Sequence, residues 1–248
     1  LHPRVRRQRQ MCIRDSNNTS SFMDAIAKIN AAPEASHKIF ITGDISLETP
    51  ISEAVNLELI GDTTSSEHYN FVLNGNTFTY RENKISKISD LNIVSNTSGS
   101  GFIVNQQDLT IDNANFTSSA ASNTQSSLNN IGGNLQISES NFTGNKKGMD
   151  GGAISNQGNL ETVSTDFISN QGRNGGALYL SSGTANIKEA DILNNYASTY
   201  GGAAYVNNST LTITDSTVKD NSAMVSGGAL YIEANSNVVI DLSLIHIS

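Results

Sequence analysis

The second half of the chain repeats itself every 25 to 27 residues, and this repeat limits the fold more than any other feature. Each unit holds three short apolar stretches joined by Gly, Asn and Ser, and none is long enough to bury its apolar side alone. Stacked units solve this problem, because equivalent stretches pair as parallel strands about 4.8 Å apart. Successive units begin at Leu135, Leu160, Ala185, Leu211 and Val238.

Composition agrees with a strand-rich fold. Asn, Ser and Thr make up 84 of the 248 residues, which is poor material for helices, whereas 37% hydrophobic residues are too many for a simply disordered chain. We therefore predict an all-β fold, a right-handed parallel β-helix or solenoid with a short N-terminal capping α-helix. The right hand follows from the chirality of crossovers between parallel strands.

The repeat places like residues in columns that face the core. One side of the β-helix should stack Phe116, Phe142, Phe167, Ile192 and Val218. A second side should stack four isoleucines, interrupted by Thr162; they are Ile111, Ile137, Ile187 and Ile213. On the third side, the inward residues should be Leu178, Leu180, Ala204, Val206, Leu230 and Ile232.

The chain divides into four segments by composition and pattern. Residues 17–36 form an N-terminal helical cap, and residues 37–241 form the β-helix, with regular repeats from about residue 87. Residues 1–16 and 242–248 resemble translated adapter sequence, so we interpret them as an artefactual leader and tail that carry no functional information. We expect the rest to be part of a longer chain.

The cap contains one amphipathic helix, predicted over residues 22–30. Ser21 is the expected N-cap, and Asp24, three positions later, is its expected capping-box partner. The apolar residues on one face are Phe22, Ile26 and Ile29. We expect this face to cover open sheet edges at the start of the β-helix.

Charge and cysteine content exclude several classes of function. Residues 1–14 carry five of the seven arginines and no acidic residue, so the net charge changes from −8 to −13 without them. Such an acidic chain disfavours nucleic acid and anionic membranes as partners. One cysteine excludes an internal disulfide framework and a multi-cysteine metal site. No apolar run approaches the ~20 residues that a membrane-spanning helix needs.

Two motifs punctuate each repeat, Phe-x-x-Asn and Gly-Gly-Ala followed by an aliphatic residue. We expect the asparagines to adopt unusual turn angles and to stack into an amide ladder of Asn145, Asn170, Asn195 and Asn221. Paired glycines let the chain turn where a Cβ atom would clash. These glycines are Gly151, Gly152, Gly175, Gly176, Gly201, Gly202, Gly227 and Gly228.

The paired motifs resemble the repeats of chlamydial polymorphic outer-membrane proteins, which are marked by FxxN and GGA[ILV]. FTGN at 142–145 pairs with GGAI at 151–154, and FISN at 167–170 pairs with GGAL at 175–178. The next coil departs from the pattern with ILNN and GGAA, and the last carries VKDN with GGAL. The resemblance implies an adhesin-like autotransporter passenger, secreted or exposed at the bacterial cell surface, although no signal peptide is visible.

Right-handed β-helices also include polysaccharide lyases and glycoside hydrolases, whose catalytic acids lie on one external face. The best candidates here are Asp166 and Asp191, which precede the phenylalanine column by one residue in adjacent units. Stacked about 4.8 Å apart, two carboxylates suit an acid and base pair or a calcium site. Asn115, Asn141 and Thr217 in the same column indicate a solvated outer face instead. The sequence therefore assigns no catalytic residue, metal site or cofactor.

Three tyrosines, Tyr179, Tyr205 and Tyr231, alternate with the inward leucines and should point outward in register. Aromatic rings on a flat sheet stack on sugar rings or anchor a protein partner, but a ring ladder also stabilises parallel pairing. Three functions stay open. They are an adhesin that binds a protein or glycan on a host or neighbouring cell, a polysaccharide lyase or hydrolase, and a purely structural spacer. We expect the first.

Overall fold

The structure is a computed structural model that describes residues 11–31, 35–53, 55–64, 67–81, 84–96, 102–118, 126–146, 148–241 and 244–245. Within these residues the chain coils through three large parallel sheets, so the predicted parallel β-helix is confirmed. Each strand pairs with its equivalent in the neighbouring coil, as the repeat requires. A fourth, smaller sheet joins three of the later coils.

Four sheets, named A to D, account for the strands in the described ranges. In stacking order, sheet A contains β1 (Met11–Ser16), β2 (Ser36–Ile41), β5 (Asn56–Gly61), β8 (Ile85–Ser89), β11 (Asp108–Asp112), β14 (Asn134–Ser138), β17 (Asn159–Val163), β21 (Thr184–Lys188), β25 (Thr210–Thr214) and β29 (Asn237–Asp241). Sheet B contains β3 (Ile45–Ser46), β6 (Tyr69–Val72), β9 (Leu91–Ser95), β12 (Asn115–Ser118), β15 (Asn141–Thr143), β18 (Asp166–Ile168), β22 (Asp191–Leu193), β26 (Thr217–Lys219) and β30 (Leu244–Ile245).

Sheet C contains β4 (Ile51–Glu53), β7 (Thr77–Tyr80), β10 (Phe102–Asn105), β13 (Leu128–Asn130), β16 (Ile154–Asn156), β20 (Leu178–Ser181), β24 (Ala204–Asn207) and β28 (Leu230–Ile232). Sheet D contains β19 (Gln171–Asn174), β23 (Tyr196–Tyr200) and β27 (Ser222–Ala223). In each of these three later coils, the chain passes from sheet A to B, D and C before it returns to A.

Helix α1 (Thr19–Asn30) packs on β1, β2 and β3, so it covers the first strands of sheets A and B. Its N-cap is Asn18, whose side chain accepts a hydrogen bond from the Ser21 backbone N–H at 3.0 Å. Ser21 is therefore the third helical residue and completes the capping box, so the cap roles predicted for Ser21 and Asp24 are wrong. Asn caps a helix as well as Ser does, and the sequence offers both in succession.

The apolar face of α1 seals the end of the core. Phe22, Ile26 and Ile29 are buried as predicted, together with Ala25. The ring of Phe22 meets Phe71 edge-on, with centroids 5.3 Å apart. This contact ties the helix to sheet B, because Phe71 pairs in register with Ile45.

The predicted core columns form on sheets A and B. On sheet B, the rings of Phe116 and Phe142 stack 4.4 Å apart, and those of Phe142 and Phe167 stack 5.4 Å apart. Register then continues the column to Ile192 and Val218. On sheet A, Thr162 occupies the expected break between isoleucines, and its buried hydroxyl has no hydrogen-bond partner.

Sheet C departs from the prediction at one residue and adds a column that the sequence analysis did not cover. Ile232 is 50% exposed rather than buried, because no described strand covers β28. The other five predicted inward residues are buried or half-buried: Leu178, Leu180, Ala204, Val206 and Leu230. In the earlier coils, the column that holds Leu180 and Val206 contains buried asparagines instead. Their side chains hydrogen-bond in sequence, at 2.8 Å from Asn105 to Asn130 and 2.7 Å from Asn130 to Asn156.

The four motif asparagines form a buried amide ladder. Asn145 Nδ2 donates to Asn170 Oδ1 at 2.8 Å, and equivalent bonds of 3.0 and 2.9 Å follow to Asn195 and Asn221. Each Nδ2 also donates to a backbone carbonyl of the preceding coil, as from Asn170 to Phe142 O at 2.9 Å. The ladder therefore joins side chains and backbone of successive coils inside the core.

The unusual turn angles expected at these asparagines occur one residue earlier. Gly144, Ser169, Asn194 and Asp220 have φ of 66°, 57°, 56° and 54° respectively, in the left-handed region. Gly, Asn, Asp and Ser are common at such turns because they tolerate positive φ or bond locally. The asparagine that ends the motif has the different task of supplying the buried amide.

The two glycines of each pair are required for different reasons. Gly175 has φ of 69°, which disfavours other residues. Gly176 has an ordinary φ, but a Cβ atom there would lie 2.1 Å from the Gly202 carbonyl oxygen in the next coil. Close approach lets Gly176 N–H donate to Gly201 O at 3.0 Å. The glycine column is thus a close backbone contact between coils.

Parts of both terminal segments belong to the sheets. Strand β1 comes from the predicted leader and pairs with β2, and β30 comes from the predicted tail and pairs with β26. These pairings do not test where the segments originate, so the artefactual leader and tail stay predictions. In the described parts of the chain, no helix is long and apolar enough to cross a bilayer.

Candidate functional site: a tyrosine strip and its groove

The outer face of sheet C carries the three predicted tyrosines in one stack. The rings of Tyr179 and Tyr205 are 5.2 Å apart and 12° from parallel, and those of Tyr205 and Tyr231 are 5.5 Å apart and 7° from parallel. Parallel pairing of β20, β24 and β28 places them in register. Tyr200, at the end of β23, stacks on Tyr231 at 4.5 Å. We call these four residues the tyrosine strip.

Tyr200 was not recognised from the sequence. It directly precedes Gly201, where the chain turns from sheet D into sheet C, and this turn brings it back over the strip. Its spacing from Tyr205 gives no alternation or repeat that would have indicated the contact.

The middle of the tyrosine strip is covered. The side chain of Tyr205 points outward from the sheet, but it is only 7% exposed and is therefore not accessible to a ligand. Its hydroxyl donates to Glu233 Oε1 at 2.5 Å. Burial and this hydrogen bond raise the pKa of the Tyr205 phenol above its usual value. Tyr179 and Tyr231 are half-buried, so the accessible parts of the strip are its ends.

A groove with a volume of about 360 Å³ adjoins the Tyr179 end of the strip. Tyr179 follows Asn129 and Ser155 in the outward column of sheet C. One face of its ring stacks on Tyr205, and the other face borders the groove because Ser155 is small. Ile131 and Met149, each 40% exposed, add apolar surface to the lining.

Asp150 lines this groove and is held there by an ion pair with Arg173. Asp150 accepts two hydrogen bonds from the Arg173 guanidinium, at 2.9 Å from Nε and 2.7 Å from Nη2, and a third from Asn174 N at 3.2 Å. The bidentate contact raises the pKa of Arg173 above its usual value. Burial, followed by the nearby Asp150 charge, raises the pKa of the Tyr179 phenol. Asp150 thus has its charge balanced while its side chain lines the groove.

The contact between Asp150 and Arg173 joins adjacent coils. Both residues lie just before successive glycine pairs, with Arg173 on β19. They are 23 residues apart, which is two fewer than the repeat. The contact is therefore diagonal between coils, and a search along columns of equivalent positions does not find it.

The carboxylate pair Asp166 and Asp191 lies elsewhere, on the outer face of sheet B. The backbone N–H of Asp191 donates to Asp166 Oδ1 at 2.8 Å. Asn141 precedes Asp166 in the column and donates to Asn115 at 3.0 Å, in a half-buried amide ladder. Among the described residues, no group of three or more His, Cys, Asp or Glu is placed to bind a metal ion.

A second groove, of about 570 Å³, lies on the outer face of sheet A over Phe40 and Ile60. Its carboxylate, Asp62, is bound to Thr64, with the Thr64 backbone N–H at 2.9 Å and its hydroxyl at 2.8 Å. These hydrogen bonds lower the pKa of Asp62. The groove beside Tyr179 combines an accessible ring face with several polar groups, so it is the stronger candidate for ligand binding.

Comparison of the chain with protein-family models, with curated proteins and with solved structures finds no match. The site is therefore interpreted from its own geometry.

Proposed function

We propose that this chain is an adhesin-like binding scaffold without enzymatic activity, which attaches to a protein or glycan on a host or neighbouring cell. The observation that carries the proposal is the tyrosine strip with an accessible ring face and a groove on a stiff, stacked sheet. Binding through residues held by a rigid scaffold loses little conformational entropy, which favours recognition.

The strip has features that a purely structural ladder does not need. A ring ladder stabilises strand pairing through its stacked faces alone. Here the Tyr179 face that is not stacked borders a groove lined with hydroxyl, amide and carboxylate groups. Apolar surface with a few convergent polar groups is the usual composition of a ligand site. This combination supports binding over a spacer role.

The family and location of the protein are part of the same proposal. The FxxN and GGA pairs resemble those of chlamydial polymorphic outer-membrane proteins, and this resemblance supports an autotransporter passenger that is secreted or exposed at a bacterial surface. Protease treatment of intact cells that express the native gene tests this location. We expect the protease to cleave the chain on intact cells. If both the chain and a periplasmic control protein stay uncleaved, the proposed surface location is contradicted.

A cell-binding assay tests the function. We expect labelled protein of residues 1–248 to bind a panel of bacterial and mammalian cells saturably, and Tyr179→Ser with Tyr231→Ser to abolish this binding. These two tyrosines are chosen because they are half-buried, whereas Tyr205 is buried and is left unchanged. Tyr196→Ser is the matched control, because Tyr196 is 36% exposed on β23 and lies outside the strip.

The same preparation separates the alternatives. Saturable binding that survives the double variant would contradict the role of the strip, and no saturable binding to any cell would leave a spacer as the better interpretation. Release of sugars from polysaccharides that Asp166→Asn or Asp191→Asn removes would establish an enzyme instead. Circular dichroism of each variant checks that the β-helix is intact.

A further inference from the structure

The tyrosine strip stops one ring short of the groove. Along the outward column of sheet C, the ring positions from the C-terminal side are Tyr231, Tyr205 and Tyr179, and the next position is Ser155. Neighbouring rings in this column are 5.2 and 5.5 Å apart. Because Ser155 has no ring, the place that a fourth ring would fill is open, and the groove occupies it.

We infer that a neutral pyranose ring of a glycan fills this place and continues the stack on Tyr179. This inference rests on the proposed function and specifies its ligand. A pyranose whose C–H face is in van der Waals contact with Tyr179 would lie about 5 Å from its centroid, as stacked rings do. A volume of about 360 Å³ accommodates one or two sugar rings, at the lower end of the size of ligand pockets.

The groove lining suits a sugar better than an aromatic side chain of a protein. A pyranose has an apolar face of C–H bonds for Tyr179 and a rim of hydroxyls that both donate and accept hydrogen bonds. The lining provides hydroxyl, amide and carboxylate groups around that rim, from Asn129, Asp150, Ser155, Gln157 and Ser181. The edge of a phenyl ring would displace water from this lining and offer it no hydrogen bonds in return, which costs free energy.

The charge of the groove selects a neutral sugar. Arg173 is held by Asp150 in a bidentate pair, so its charge is already balanced. Asp150 still has lone pairs for a sugar hydroxyl, because its two oxygens accept three hydrogen bonds in all. Because the balanced pair offers no net positive charge, the carboxylate of a uronic acid would lose its hydration there without gaining a countercharge.

Titration calorimetry with the intact chain tests the inference, with methyl glycopyranosides and neutral oligosaccharides as probes. At least one neutral sugar should bind, and Tyr179→Ala should weaken it at least tenfold. Tyr179→Phe, which keeps the ring, should stay within about threefold. Ser155→Tyr should abolish binding, because the new ring fills the groove. Tyr196→Ala and Thr212→Tyr, on exposed or half-exposed positions of other sheets, are the matched controls and should bind normally.

Two further probes distinguish other ligands. Polygalacturonate and N-acetyl-tyrosinamide should bind at least tenfold more weakly than the best neutral sugar. Stronger binding of either one, full sugar binding by Ser155→Tyr, or no neutral sugar binding at about 10 mM would overturn the inference. If cell binding nevertheless persists and still depends on Tyr179 and Tyr231, the proposed function stands and only its assigned ligand is wrong.

Discussion

The buried amide of Asn170 holds two coils together, and its removal is a direct test of the ladder. Its Oδ1 accepts hydrogen bonds from the backbone N–H and the Nδ2 of Asn145, at 3.1 and 2.8 Å. Its Nδ2 donates to Phe142 O at 2.9 Å and to Asn195 Oδ1 at 3.0 Å. Asn170→Ala removes all four hydrogen bonds in a site that is 1% exposed.

Four hydrogen bonds at a net value of about 0.5–1.5 kcal/mol each predict that Asn170→Ala lowers the free energy of unfolding by about 2–6 kcal/mol. Part of this loss is local, because the Asn145 N–H loses its side-chain acceptor. Such an orphaned buried donor costs about 1–3 kcal/mol. Urea unfolding measures the total, and hydrogen exchange of the Asn145 amide measures the local part, as a loss of protection of about 10- to 100-fold.

Asn186→Ala is the matched control, because Asn186 is exposed on β21. Its effect on stability should stay within about 0.5 kcal/mol, as for most surface changes. Equal stabilities for the two variants, or unchanged protection of the Asn145 amide in Asn170→Ala, would refute the claim that the ladder stabilises the stack.

Three further changes test other parts of the fold. Phe142→Ala opens a cavity between Phe116 and Phe167 and should cost about 3–5 kcal/mol in urea unfolding. Gly176→Ala places a Cβ against the Gly202 carbonyl and should cost about 1–3 kcal/mol, whereas an unchanged melting temperature would contradict the close contact. Burial raises the pKa of the Glu53 carboxyl above its ordinary 4.5, so this carboxyl binds its proton more tightly in the folded protein than in the unfolded chain. The free energy of unfolding therefore falls as the pH rises through and above 4.5. Glu53→Gln should therefore melt higher than the native chain at pH 7 and equally at pH 3, and equal melting at both would contradict this.

Most of the fold follows from the repeat, because equivalent residues must lie over one another in a stack. The register of Leu135, Leu160 and Ala185 is the clearest case, since each lies one repeat from the next and they pair as predicted. The early coils could not be predicted equally well. Paired residues in these coils are separated by 20 residues, from Ile39 to Leu59, and by 29 residues, from Leu59 to Ile88. Because the loops between the strands differ in length, no constant repeat is visible in this part of the sequence.

The buried asparagine column of sheet C shows a different limit of sequence reasoning. Asn130 and Asn156 occupy positions that become Leu180 and Val206 in later coils. These amides are satisfied by groups of other coils: Asn130 bonds to Asn105 and Asn156, and Asn156 Nδ2 donates to Thr184 O in the next coil. Their stability is therefore a property of the stack rather than of one unit.

The site was predictable only in part for related reasons. Alternation along β20 and β24 correctly places Tyr179 and Tyr205 on the outer face. Burial of Tyr205 depends on Tyr200 and Glu233, which come from the end of β23 and from the next coil. The groove likewise includes Asp150, which is held by a diagonal ion pair with Arg173 that no single repeat contains.

The one-way direction of the Asn145 to Asn221 ladder affects how a gene for such a chain is able to evolve. The inner amides, Asn170 and Asn195, each accept a hydrogen bond from the asparagine before them and donate one to the asparagine after them. An inserted unit with Asn at this position therefore adds a link and leaves both neighbours satisfied. Unequal recombination is therefore able to lengthen or shorten the rod by whole units at little cost. Outward-facing residues take no part in the amide ladder, so they are free to change in sequence while the stacking of the coils is preserved.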